Sequence, residues 1–103
     1  MENYILDILK SQLMIVFSWG FNSPRKTPNG LMFKVQGFIH TGWVKIEYNE
    51  GSDLFDITLL DLKMKTTKEL EGVYFDVLVE TIDCLVERVI NYDERVKNEY
   101  SLL

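Results

Sequence analysis

The chain has 103 residues, of which 47% are hydrophobic and 26% are charged. This length suits one domain and is too short for two ordinary ones, and the apolar content is sufficient for a core without disulfide support. The formal net charge of −5 argues against a generic nucleic-acid-binding protein, because phosphate affinity depends on clustered lysine and arginine. We therefore expect a single globular domain over residues 1–103.

The charge is unevenly distributed along the chain. Residues 1–45 carry five basic and two acidic side chains, a net charge of +3. Residues 46–103 carry six basic and fourteen acidic side chains, a net charge of −8. This asymmetry indicates either two faces of opposite sign or an acidic half whose charges keep the protein soluble.

Three features bear on the cellular compartment. Cys84 is the only cysteine and has no partner within the chain for a disulfide, which is typical of a reducing compartment. The first residues, Met1–Tyr4, lack the basic region and cleavage site of a signal peptide. No apolar run approaches the roughly 18 residues of a membrane span. The sequence therefore predicts a cytoplasmic protein without membrane association.

The N-terminal third predicts a helix, a strand and a loop, in that order. Residues 3–12 have apolar side chains at helical spacing. The run Met14–Trp19 is enriched in β-branched and aromatic side chains and predicts a strand. The stretch Trp19–Gly30 contains both prolines and two of the six glycines. It predicts a long ordered loop that ends in a turn at Pro28-Asn29-Gly30.

Alternation of apolar and polar residues predicts three strands in the middle of the chain. They are Leu31–Gln36, Trp43–Tyr48 and Leu54–Leu60, joined by short turns that contain glycine. This spacing is typical of an antiparallel meander. One face of each strand is apolar, and opposite charges on the other face are expected to pair. That other face comprises Met32, Lys34, Gln36, Trp43, Lys45, Glu47, Leu54, Asp56 and Thr58.

The C-terminal part completes the predicted fold. Residues 61–71 are polar and weakly patterned, and predict either a loop or a short edge strand around Lys63–Lys65. A long helix is expected over Tyr74–Asn91, where apolar residues recur every three to four positions. The order helix, four or five strands, helix predicts an α+β fold. In this two-layer sandwich, the N-terminal and C-terminal helices pack on one face of an antiparallel sheet.

Few groups in the sequence suit catalysis or metal binding. His40 is the only histidine and is expected at an exposed hairpin tip without a positioned partner. Cys84 lies on another predicted element, beside the apolar stripe of the last helix, where packing explains it better than reactivity. We therefore expect no catalytic residues, no metal ligands, no cofactor and no enzymatic activity.

The strongest candidates for recognition are aromatic and basic residues. Trp19, Phe21, Arg25 and Lys26 lie in the predicted loop, and Trp43 lies on the exposed side of a predicted strand. A large exposed aromatic residue often marks a contact site. Convergence of these five side chains suits a protein partner or single-stranded nucleic acid. An equally good alternative is that the loop aromatics fold inward and cover the edge of the sheet.

The last predicted helix carries an acidic face. Asp76, Glu80, Asp83 and Glu87 follow one another at spacings of four, three and four residues, so they align on one side of a helix. A solvated face explains such a stripe. The alternatives are a surface for a basic partner and an internal clamp on the basic pair of the predicted loop.

Five segments of the chain carry a resemblance, and they are Ser18–Phe21, Gly30–Phe38, Gly42–Lys45, Tyr48–Phe55 and Tyr74–Glu80. In these segments the chain resembles a group of small uncharacterised proteins of Bacteroides-type genomes, some encoded in phage-like or mobile-element regions. The resemblance covers most of the chain. It implies no activity and supplies no site residues.

These features together predict a small cytoplasmic interaction module that acts by binding another protein, with an accessory role in a mobile element as one setting. The alternative is a nucleic-acid-associated protein that binds single strands through the same aromatic and basic residues. A third possibility is an enzyme, for which His40 and nearby acidic residues are the only conceivable catalytic groups. The protein-binding and nucleic-acid hypotheses differ in the salt dependence of binding. Binding of a nucleic acid should weaken steeply as salt is added, because lysine and arginine neutralise its phosphates.

Overall fold

The structure, a computed structural model, describes residues 1–86. This part of the chain forms helices and strands, with a 3₁₀ turn, Phe75–Val77, before the last helix. Their bounds, in chain order, are α1 Glu2–Lys10, α2 Leu13–Ser18, β1 Asn22–Thr27, β2 Gly30–Gln36, β3 Thr41–Asn49, β4 Leu54–Leu60, β5 Thr66–Val73 and α3 Leu78–Val86.

The strands form one five-stranded antiparallel sheet in the order β1-β2-β3-β4-β5. Neighbours in the sheet are also neighbours in the sequence, so short connections are sufficient. The sheet, with helices before and after it, confirms the predicted α+β fold. The meander predicted for the middle of the chain is extended by one strand on each side.

The helices lie on one face of the sheet, called the covered face below. Ile5 and Leu9 of α1, Val16 of α2 and four residues of α3 pack there against alternate residues of the strands. The buried strand residues on this face are Leu31, Phe33, Val35, Val44, Ile46, Phe55, Ile57, Leu59 and Val73. The alternation predicted for the three middle strands is therefore confirmed. The opposite face, which the described helices leave uncovered, is called the open face.

The predicted strand Met14–Trp19 is wrong, because these residues form α2 and its C-terminal end. Val16 and Trp19, three positions apart, are both buried, as expected for one face of a helix. Gly20 ends the helix in the left-handed conformation with a φ of 68°, and its N–H donates to the Phe17 carbonyl. Burial of this face decided the element and overrode the local β propensity.

The predicted loop Trp19–Gly30 is also wrong in its middle, since most of it forms the edge strand β1. Pro24 lies inside this strand, and proline is tolerated there because one side of an edge strand has no ladder partner. The pairing with β2 shifts register between Asn22 and Arg25, as at a β-bulge, and Ser23 within the shift has a φ of 53°. The proline therefore marks an irregular edge strand.

A two-residue turn, Pro28-Asn29, joins β1 to β2 and confirms the predicted turn. Thr27 and Gly30 pair on either side of it. A Cβ at Gly30 would lie 1.9 Å from the carbonyl oxygen of Ile46 on β3, so a side chain has no room. Close approach of two strands therefore requires glycine at this position.

The C-terminal part of the described chain differs from the prediction in where its elements begin. β5 begins at Thr66, whereas Lys63–Lys65 lies in the preceding turn, whose backbone N–H groups donate to the Asp61 carboxylate. The helix predicted over Tyr74–Asn91 begins at Leu78, after the 3₁₀ turn. The end of that predicted helix lies outside the described residues.

Candidate functional site

Trp43 lies on the open face of β3 and is buried, with 5% of its surface exposed. The prediction that this side chain is exposed is therefore wrong, although its face was predicted correctly. The Cζ atom of Arg25 lies 4.9 Å from the centroid of the Trp43 ring, and the Nζ atom of Lys34 lies 5.2 Å from it. These three residues, called the Trp43 cluster below, form the candidate site.

The register of the strands assembles this cluster. Lys34 lies directly opposite Trp43 in the β2–β3 pairing. Arg25 lies opposite Met32, two residues before Lys34, so it approaches the ring diagonally from the edge strand. Leu60 of β4 lies opposite Trp43 on the other side and is itself buried. Neighbouring strands therefore cover the ring from both sides.

The charges of Arg25 and Lys34 meet no carboxylate in an ion pair within residues 1–86. The neighbouring pair on the open face is satisfied, because Lys45 Nζ lies 3.5 Å from Glu47 Oε1. A cation over an aromatic face gains about 0.5–1 kcal/mol at an exposed site, which holds the side chain in place without cancelling its charge. The cluster thus presents two positive charges on an acidic protein.

Trp19 and Phe21 do not contribute to this surface. Trp19 is fully buried in the core and stacks on Phe33 with ring centroids 6.4 Å apart, and its indole N–H donates to Asp83 Oδ1 at 2.9 Å. Phe21 also packs against the Phe33 ring, with the two ring centroids 4.6 Å apart. Their placement matches the alternative in which the aromatic residues fold inward.

The adjacent cations Arg25 and Lys26 lie on opposite faces of β1, since successive residues of a strand point to opposite sides. Arg25 reaches the open face, whereas the Nζ atom of Lys26 lies 3.8 Å from Glu2 Oε2 of α1 and its side chain is 74% exposed. Within the described residues neither cation pairs with a carboxylate of α3. The internal clamp is therefore absent from that part of the chain.

The predicted acidic face does not behave as one unit. Asp76 lies in the 3₁₀ turn before α3 and is exposed, as is Glu80. Asp83 is half-buried and accepts the hydrogen bond of the Trp19 indole, so one member of the stripe ties α3 to the residue that follows α2. Glu87 lies outside the described residues.

His40 and Cys84 both differ from their predicted exposure. His40 is 9% exposed, and its Nε2 atom lies 3.1 Å from the Trp43 carbonyl oxygen. The backbone N–H groups of Ile39 and His40 both donate to the Val86 carbonyl, which holds this loop against α3. Cys84 is exposed, because it falls on the outer side of α3.

An open depression of about 470 Å³ lies at the end of the sheet near the β3–β4 turn. Its lining is polar and includes Glu47, Tyr48 and Asp56. Beside it the Tyr48 hydroxyl donates to the Asp53 carboxylate, and this hydrogen bond raises the pKa of Tyr48. The carboxylates that line the depression favour cations, whereas the two cations of the Trp43 cluster favour anions.

Within residues 1–86, no group of three or more histidine, cysteine, aspartate or glutamate side chains is arranged to hold a metal ion. No helix in that range is long and apolar enough to cross a membrane. Comparison with known proteins found no matching family model, no similar curated protein and no similar solved structure. The candidate site therefore rests on geometry alone.

Lys34 is the member of the cluster that sequence reasoning did not select. Its position on the outer face of a strand follows from the alternation in β2, but its partner depends on the register with β3. Two signals were available, since an outward lysine and an outward tryptophan occur on successive strands of a predicted hairpin. A cross-strand cation–aromatic pair could have been inferred from them.

Proposed function

We propose that this protein is a small cytoplasmic interaction module that binds a partner protein through the open face of its sheet. One observation carries the proposal: Arg25 and Lys34 lie over Trp43 on that face, with no carboxylate paired to either within residues 1–86. The resemblance to proteins from mobile-element regions fits an accessory role for such a module.

The physical basis is electrostatic complementarity. Both cations are already held in position by the ring, so less side-chain entropy is lost when a carboxylate of a partner approaches them. In a chain with an overall charge of −5, these two cations form a local positive region, which favours a partner that places its carboxylates at this spot.

The same geometry disfavours the nucleic-acid alternative. Binding of single strands relies on bases that stack on exposed aromatic rings. Trp43 is only 5% exposed and Trp19 is fully buried. Neither ring offers a free stacking surface. A base could reach the Trp43 ring only by displacing Arg25 or Lys34, and the nucleic acid would need these cations to bind its phosphates.

The test is capture of proteins from a lysate of the native host by immobilised wild type and by Lys34→Glu. Lys68→Glu is the matched control, because this exposed lysine lies on β5 opposite Leu59 and therefore on the other face of the sheet. We expect a partner that is captured by wild type and the control but lost with Lys34→Glu.

Equal capture by all three proteins would overturn the proposal. Electrophoretic mobility of a single-stranded oligonucleotide, measured over a salt series, tests the alternative class directly. Salt-sensitive binding that Lys34→Glu abolishes would replace the protein partner by a nucleic acid.

A further inference from the structure

A single row of paired residues crosses the whole sheet on the open face. The pairings of the four adjacent strand pairs connect, from edge to edge, Arg25, Met32, Lys45, Thr58 and Glu69. Arg25 therefore stands at the β1 edge and Glu69 at the β5 edge of the same row. Both side chains are exposed. The row begins with a cation and ends with an anion.

These two charges cannot meet within one molecule. They are separated by four interstrand spacings, or about 19 Å, which exceeds the combined reach of an arginine and a glutamate side chain. Within residues 1–86, neither of them belongs to an ion pair. Among the described residues, therefore, neither charge has an ion-pair partner, and a second molecule can supply one.

Two open faces stacked on each other would bring these charges together. A two-fold axis that runs parallel to the strands, above β3, places β1 of one copy over β5 of the other. Each Arg25 then faces the Glu69 of the opposite copy, twice by symmetry. Sheets packed face to face lie about 10 Å apart, a gap that an arginine and a glutamate side chain can bridge.

We infer that the partner of the open face is a second copy of this chain, joined by two symmetric Arg25–Glu69 ion pairs. This inference rests on the proposed function and names the partner. The other stacked arrangement, with the axis perpendicular to the strands, places β1 over β1 and sets like charges opposite each other. Of the two arrangements, only the first sets Arg25 opposite Glu69.

Lys45 and Glu47 lie on β3 beneath the axis, so the stacking sets Lys45 over Lys45 and Glu47 over Glu47 of the other copy. Within each copy these two side chains form an ion pair, with Lys45 Nζ 3.5 Å from Glu47 Oε1, which offsets the like charges at the centre. Met32 and Leu54 are half-buried on the open face and add apolar surface.

The test uses two charge-reversal variants, Arg25→Glu and Glu69→Arg, studied alone and mixed. Each variant alone sets like charges against each other, so we expect its self-association to be at least about tenfold weaker than that of wild type. In the mixture, both contacts between unlike variants are again between opposite charges. We therefore expect the mixture to form a heterodimer as well as wild type forms its homodimer.

Sedimentation velocity at low salt over a concentration series measures both effects. Lys26→Glu and Lys68→Glu are the controls, since each neighbours one of the two residues in sequence but lies on the covered side, and neither should affect association. Recovery in the mixture also excludes misfolding as the cause of the loss, because an unfolded variant cannot be restored by mixing.

Wild type that stays monomeric at all concentrations would overturn the second-copy inference. Capture of another protein in the lysate experiment would then still support the proposed function. A dimer that neither reversal weakens would overturn the inference equally, because that dimer would use another surface. Loss of association in both single variants without recovery in the mixture would also count against it.

Discussion

The two tryptophans are buried to a similar extent by different means. Trp19 lies on the covered face, where it stacks on Phe33 and bonds to Asp83. Trp43 lies on the open face beneath the cations of Arg25 and Lys34. Apolar packing from several elements buries the first ring, and long charged side chains bury much of the second.

This difference separates a structural role from a recognition role. The cover of Trp19 consists of core side chains that cannot move away without opening the fold. The cover of Trp43 includes the charged ends of two flexible side chains, Arg25 and Lys34, which lie over the ring. These ends can bind a partner's carboxylate while the ring holds them in position, so the open face can gain contacts while the fold persists.

The largest expected effect is on the covered face. Trp19→Ala should lower the free energy of unfolding by about 3–5 kcal/mol, because it leaves a cavity in the core and removes the donor to Asp83. Urea unfolding followed by circular dichroism measures this loss. Trp19→Phe is the control, since it keeps an aromatic ring at the site and should lose less. A loss below about 1 kcal/mol for the alanine variant would contradict the structural role.

Trp43→Ala should have an intermediate effect. Loss of a buried side chain costs about 1.5–3 kcal/mol when the removed area is apolar, and the flexible stems of Arg25 and Lys34 can partly fill the space. The same unfolding measurement compares this variant with Trp19→Ala. Equal losses at the two positions would show that Trp43 belongs to the rigid core, and the distinction between the two rings would fail.

The smallest effect on stability is expected from Arg25→Gln, at most about 1 kcal/mol. Its main consequence should be greater access to the Trp43 ring. Acrylamide quenching in a Trp19→Phe background measures this access, because Trp43 is then the only tryptophan. Lys26→Gln, on the other face of β1, should leave quenching unchanged. Unchanged quenching in Arg25→Gln would show that this arginine does not cover the ring.

Local pattern was sufficient for the middle of the chain. The alternation in β2, β3 and β4 correctly placed Leu31, Val44 and Ile57 in the core and Lys34 on the outer side. It could do so because each of these strands has one face against helices and one face without them. Apolar and polar residues therefore alternate along each of these strands, and this alternation is visible in the sequence.

Local pattern failed where the environment of a segment was set by distant residues. Met14–Trp19 has strand-like composition, yet two of its residues must meet the core at helical spacing. Pro24 was predicted to lie in a loop. A proline is tolerated within β1 because this strand has a neighbouring strand on one side only. Neither fact can be read from the residues nearby in the chain.

The candidate site shows the same division. The face of Trp43 followed from its position in a strand, but its burial depends on Arg25, which lies 18 residues earlier on the edge strand. The acidic stripe of the last helix could be recognised from the spacing of its residues. The hydrogen bond from Trp19 to Asp83 could not be predicted in this way, because the two residues are 64 positions apart in the sequence.

The sequence by itself determined the α+β class, the three central strands and which side of each strand is apolar, because these features depend on periodicity within single segments. Only the tertiary structure decided that Arg25 and Lys26 lie on opposite faces of the sheet and that Trp19 is buried in the core. It alone placed Trp43 beneath two cations. The physical reason is that burial and charge pairing are properties of neighbours in space, and the register of five strands, from Arg25 at one edge to Glu69 at the other, sets those neighbours.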